Sequence, residues 1–171
     1  MLSSDLPVSE YNPYYHTYIK ALGDVHLLDS LEEGKNDFSS FMEEFPEEKL
    51  NYSYAEEKWT LAEVLMHIID AERVFQYRAL RFARNDNTPL AGFDQDVYVP
   101  ESNASRKTKK GIQDEYQAVR NATISLFKSF DDSALKRIGF ASDSPMSTRA
   151  IGFIICGHQA HHLKIIRERY I

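Results

Sequence analysis

Residues 157–162 read Gly-His-Gln-Ala-His-His, placing three of the chain's six histidines within six positions. Imidazole is a proton acceptor near neutral pH and a ligand for transition metals, so the direction of these rings governs the chemistry open to the chain. At about 100° per helical residue, Ile151, Ile154, Ile155, Ile165 and Ile166 all fall within about 80° of His158. His162 lies about 40° to one side, inside the same apolar stripe, and His161 about 60° to the other, on its flank. His158 and His162 are thus expected to face the interior one turn apart. On the segment that begins at Thr60, Val64, Ile68, Ala71, Val74, Phe75 and Phe82 form a second stripe. His67 falls at its edge, with Glu63 and Asp70 one turn away on either side. Arg78 also points inward there, and a buried guanidinium calls for a carboxylate.

Two histidines at i and i+4 with a third from a facing helix can share one divalent transition metal. Three neutral ligands leave positions open for water or substrate, the arrangement of a catalytic rather than a structural site. Asp70 could orient His67 through its other ring nitrogen. Asp94 and Asp96 could reach over the site as acid or base, although short acidic residues in loops commonly cap turns. The alternatives are a core of hydrogen-bonded histidines with no ion, and a non-enzymatic stress or interaction module with a structural ion closed by a fourth ligand. Cys156 sits about 160° around the helix from His158 and reads as a packed thiol. His16 and His26 match no ligand spacing, and Tyr11, Tyr14, Tyr15 and Tyr18 read as core or interface.

The elements that must position these residues are helical. An aromatic-rich lead-in, 1–23, is expected to pack on the domain. The next helix is expected to begin with Asp24 as its cap and to stop at Pro46, weakened by Gly34. Thr60 and Glu63 form a capping box for the helix carrying His67, with Trp59 as its staple. Residues 85–105 break the helical period, with two prolines and a glycine, and predict a long crossover. Helical spacing resumes after the basic run 106–110, which reads as a solvated face, although it opposes the helix dipole. Ser147 caps the last helix. The chain is therefore expected to be one all-α domain, 1–171, a four-helix bundle with a crossover between its second and third helices.

Composition narrows the function further. A net charge of −6 argues against nucleic-acid binding. A single cysteine excludes an internal disulfide, and no signal peptide or membrane-length apolar run is evident. A cytoplasmic protein that handles a small molecule is the simplest expectation.

The block EEKWTLAEVLMHIIDAERVFQYRALRFARND, the TPLAGFDQDVYV that follows, and the terminal GHQAHHLKIIRERY resemble the DinB-like superfamily, including its YfiT-like metal-dependent hydrolases. The resemblance runs from about Tyr52 to the end and, more loosely, over the first helix. It implies an up-down-down-up four-helix bundle, a metal triad at His67, His158 and His162 holding zinc or nickel, and a tendency to form homodimers. It further implies hydrolysis, or transfer of a low-molecular-weight thiol to an electrophile.

Overall fold

The computed structural model describes residues 1–171. Short 3-10 turns and α1 (His16–Ala21) lead into α2 (Leu27–Phe41), α3 (Leu61–Ala83), α4 (Gln95–Glu101), α5 (Lys109–Lys128) and α6 (Asp132–Lys136). A hairpin of β1 (Ile138–Ala141) and β2 (Ser144–Ser147) then delivers the chain into α7 (Thr148–Arg169). The bundle consists of α2, α3, α5 and α7.

Side-chain pairings fix its directions. Between α2 and α5, Glu32 meets Lys128 and Ser39 meets Gln117, so the two run antiparallel. Leu27 packs at Gly152 and Gly34 meets Gln159, making α2 and α7 parallel. Trp59 meets Tyr170 while His67 meets His158, so α3 opposes α7. Arg73 pairs with Glu115, and further along Tyr77 and Leu80 share a groove with Leu126 and Ser129, so α3 and α5 run together. The order is up-down-down-up, and the segment between α3 and α5 must cross the length of the bundle.

Local chemistry sets the ends. Glu63 donates its backbone N–H to Thr60 Oγ1 at 3.3 Å while the Thr60 N–H donates to Glu63 Oε2 at 2.7 Å, the reciprocal box read from sequence. Ser147 and Thr108 cap α7 and α5 through Ala150 and Gly111. The basic run is neutralised locally. Lys107 bonds Glu115 at 2.6 Å, Lys110 pairs with Asp114, and Lys109 Nζ donates to the Phe45 carbonyl at 2.6 Å.

Three expectations change. Asp24 does not cap α2: the helix starts later, after His26, and Asp24 instead accepts from the Ser4 N–H at 3.3 Å. The crossover is not bare loop but carries α4, capped by Asp94, and a 3-10 turn at Ala104–Arg106. The all-α bundle also carries one small antiparallel hairpin, whose edge takes up the crossover residue Leu90.

The apolar core is split in two. One cluster gathers Leu31, Ala71, Phe75, Phe127 and Ile151, and the other Phe38, Leu65, Ile68, Tyr116 and Leu163. Between them lies a polar layer. On one side of it Arg120 clasps Glu72 with two 2.8 Å bonds, Thr123 donates to Glu72 at 2.7 Å, and Gln159 accepts from Arg120 at 2.7 Å. A Cβ on Gly34 would stand 2.7 Å from Arg120 Nη1, which explains a glycine inside α2. The other side of the same layer holds the histidines.

Candidate metal centre

Helix α3 supplies His67 and helix α7 supplies His158 and His162. His158 Nε2 lies 3.0 Å from His67 Nε2 and 3.1 Å from His162 Nε2. One ligand atom from each of the three can be found within 4.8 Å of the others. Two nitrogens bound to one ion at about 2.0–2.1 Å lie roughly 2.9–3.4 Å apart for bond angles between octahedral and tetrahedral, so the two separations from His158 suit a shared cation. Hydrogen bonding alone serves the trio poorly. An imidazole nitrogen is either one donor or one acceptor, so His158 Nε2 cannot satisfy two facing Nε2 atoms at once.

Burial keeps the rings neutral. Desolvation lowers the pKa of His67 to about 4, opposed in part by the Asp96 charge. It lowers His162 to about 3, helped by repulsion from His67 and His161, and holds His158 well below the ordinary value for the same reasons. Neutral imidazole is the ligand form.

Two aromatic side chains flank the rings. Trp59 packs 5.2 Å from the His67 ring. Tyr18 of α1 sits edge-on to His158 at 5.8 Å and tilts over His161 at 4.9 Å. Gly157 permits that approach, because a Cβ there would lie 2.4 Å from the Tyr18 carbonyl oxygen. The glycine that opens the histidine motif is thus a docking point for the lead-in, which is also tied down by the Arg149–Glu10 ion pair.

The three histidines open onto a cavity of about 700 Å³ lined also by Tyr14, Tyr15, Tyr18, Phe93, Asp94, Asp96 and Ser142. Three of the four tyrosines expected in core or interface therefore face this cavity; Tyr11 alone is buried in the core. Asp94 and Asp96 reach the cavity from α4. Asp94 is partly engaged, accepting from the Asp96 N–H at 2.9 Å as the cap of that helix. Asp70 is elsewhere: it accepts from Arg73 at 3.0 Å, makes no hydrogen bond to His67, and faces a separate crevice with Val97 and Tyr98. Cys156 is buried away from the cavity, and its thiol pKa is raised by desolvation. His161 is exposed, and His16 pairs with Tyr11.

Sequence reasoning did not find Tyr18 or Ser142. Neither lies on the stripes that located the histidines, and each reaches the cavity by a long-range contact. Arg78 was found, but its expected carboxylate is absent. Its Nη2 donates to the Ala91 carbonyl at 3.2 Å and to Ser142 Oγ at 2.9 Å.

The family description "DinB superfamily" matches residues 30–166. The chain belongs to the DinB superfamily. Among solved structures, YfiT from Bacillus subtilis superposes with a TM-score of 0.74 at 17% identity, over 83% of this chain and 82% of that one. YfiT is described as "a probable metal-dependent hydrolase with an unusual four-helix bundle topology", and at this identity the likeness speaks for the fold. No curated protein matches the sequence. The bundle traced above, with both parallel and antiparallel neighbours, is therefore a fold shared with YfiT. No helix is long and apolar enough to cross a membrane.

Proposed function

We propose that this DinB-superfamily chain is a metal-dependent enzyme acting on a small molecule, with His67, His158 and His162 holding a divalent transition metal, zinc or nickel. The observation that carries the reading is the convergence of three neutral imidazole nitrogens at the wall of an open cavity. Bound there, the ion would supply Lewis acidity at its free coordination positions, lowering the pKa of a water or a thiol and polarising the group it meets. Hydrolysis is the primary assignment. A low-molecular-weight thiol fits the same open position, so substrate screening includes thiol transfer.

The protein's own groups divide the remaining work. Trp59 and Tyr18 pack against the ligand rings and restrain their orientation. Asp96, whose charge reaches His67 and which lines the cavity, is the carboxylate placed to accept or return a proton. The competing assignment, a structural ion in a non-enzymatic protein, needs a fourth protein ligand, and the histidine group has three members. A homodimer, expected from the family resemblance, places no demand on this site, which is built from one chain.

Metal analysis of untagged protein purified without chelator tests the assignment. About one equivalent of a transition metal per chain, lost in His158→Ala, is expected. A native protein that contains none and takes up none on titration overturns it.

A further inference from the structure

The fold buries three arginines. Arg120 is answered by Glu72 and Arg149 by Glu10, but Arg78, only 2% exposed, has no carboxylate. Its Nη1 is the only buried side-chain nitrogen or oxygen in the molecule without a hydrogen-bond partner. Arginine does not escape by deprotonating, and an uncompensated buried charge costs several kcal/mol. The guanidinium is enclosed by residues of the histidine cavity. Ser142 accepts its hydrogen bond, the rings of Phe75 and Phe93 lie 5.5 and 5.8 Å from its central carbon, and the Tyr15 phenol feels its charge and makes at most a weak, long contact with its N–H groups. All four line that cavity.

Helix geometry sets the layout. His67 and Arg78 are eleven residues apart on α3, about 20° from the same face and about 16 Å along the axis. The arginine side chain leans back over Phe75, as helical side chains do, which shortens the gap. Ala71 and Phe75 line the cavity between the two. One stripe of one helix therefore carries His67 of the imidazole cluster, then an apolar floor, then an unanswered cation that lies behind the Phe75, Phe93 and Ser142 of the cavity lining. Ser142 completes the cationic end. It sits at φ +51° in the β1–β2 turn beside Asp143 at φ +56°, and its hydroxyl, which accepts from Arg78, keeps its own proton to donate.

We propose that Arg78 and Ser142 bind a carboxylate, so that the substrate is a small organic acid lying along α3, its reacting group at the histidines and its carboxylate at Arg78 with an apolar spacer between. This rests on the cavity being the substrate site assigned above. The two protons on Nη1, the one on Nε and the one on Ser142 are enough for the two oxygens of a carboxylate. A phosphate dianion would meet the Asp94 and Asp96 charges of the same cavity with about twice the repulsion felt by a monoanion.

The test uses chelator-treated protein at pH 7.5, where the histidines are neutral and no ion can capture the probe. Hexanoate, hexanamide and hexyl phosphate are titrated calorimetrically into the native chain and into Arg78→Met, Arg78→Gln and Ser142→Ala. Hexanoate should bind at least tenfold more tightly than hexanamide. Either arginine variant should erase the difference, and Ser142→Ala should narrow it. Removing an unpaired buried charge should leave Arg78→Met folded; if it unfolds, Arg78→Gln and Ser142→Ala carry the comparison. A native protein that does not prefer hexanoate overturns the proposal, as does a preference that survives in the arginine variants. Tightest binding of hexyl phosphate would replace the carboxylate with a phosphate monoester. Because the probe site is read without metal, failure of metal uptake with the carboxylate preference intact sinks only the metal assignment, and the reverse result sinks only this one.

Discussion

Three imidazoles can converge on a point only while uncharged, and the pH dependence of the metal-free protein follows from that. Unfolded histidines bind protons near pH 6.5, whereas His67 does so in the fold near pH 4 and His162 near pH 3. Between those values the unfolded chain holds more protons, so stability is full above pH 6.5 and is lost as the pH falls towards 4. Thermal melts of chelator-treated protein should show this decline, and His67→Gln or His162→Gln should flatten it by several degrees relative to the native slope. Parallel slopes in native and variant would show that the rings are not desolvated as described. Asp96→Asn is expected to leave metal content unchanged and to lower turnover by about 10²–10⁴-fold if the carboxylate moves a proton. Loss of metal in that variant would make Asp96 a ligand instead. At this scale the histidine positions were legible because i, i+4 spacing within an apolar stripe leaves a ring few directions to face. The direction of Arg78 was legible for the same reason. Its partners were not: Ser142 lies 64 residues away on a hairpin turn, and no local pattern links them.

The helices are registered by polar contacts as much as by apolar ones. Glu72 of α3, Arg120 of α5, Gln159 of α7 and the Gly34 carbonyl of α2 meet in one layer; His158 adjoins Gln159, and His67 lies five residues before Glu72. Glu72→Ala leaves Arg120 buried without its counterion and should cost about 3–5 kcal/mol. A double variant, Glu72→Leu with Arg120→Met, removes both charges and should recover most of that loss in a denaturation experiment. If the double variant recovers stability but binds metal less well, the layer holds α3 and α7 in register for the histidines. If it recovers both, the layer serves stability alone. The caps at Thr60, Thr108 and Ser147 could be read from sequence because each is a local exchange between a side chain and a nearby N–H. The start of α2 could not, since Asp24 had an equally good use, accepting from the Ser4 N–H of the lead-in. The β1–β2 hairpin escaped for a different reason. Its two-residue turn uses Ser142 and Asp143 at positive φ, without the Asn-Gly signature that marks such turns.

Across the whole molecule, the up-down-down-up path requires one connection to travel the bundle's length, and that connection lines the cavity with Phe93, Asp94 and Asp96. The path could be anticipated because a break as long as 85–105 cannot be a tight turn. The lead-in contributes Tyr14, Tyr15 and Tyr18 to the same cavity, although their clustering near the N-terminus reads in sequence as packing. The proposed metal would join α3 to α7, elements separated by ninety-one residues of chain between His67 and His158. An ion that binds only the folded state stabilises it by about 2.7 kcal/mol at a free concentration one hundred times its dissociation constant. For a chain of this size each kcal/mol raises Tm by about 2–4 °C, so a rise of about 5–10 °C is expected. His158→Ala should abolish the rise while still melting cooperatively. Hydrogen exchange should slow on α3 and α7 around the histidines on metal addition, with little change in α2 and α5. Slowing spread evenly over all four bundle helices would mean that the ion reports on global stability. A confined effect would mean that it organises the wall from which the cavity opens.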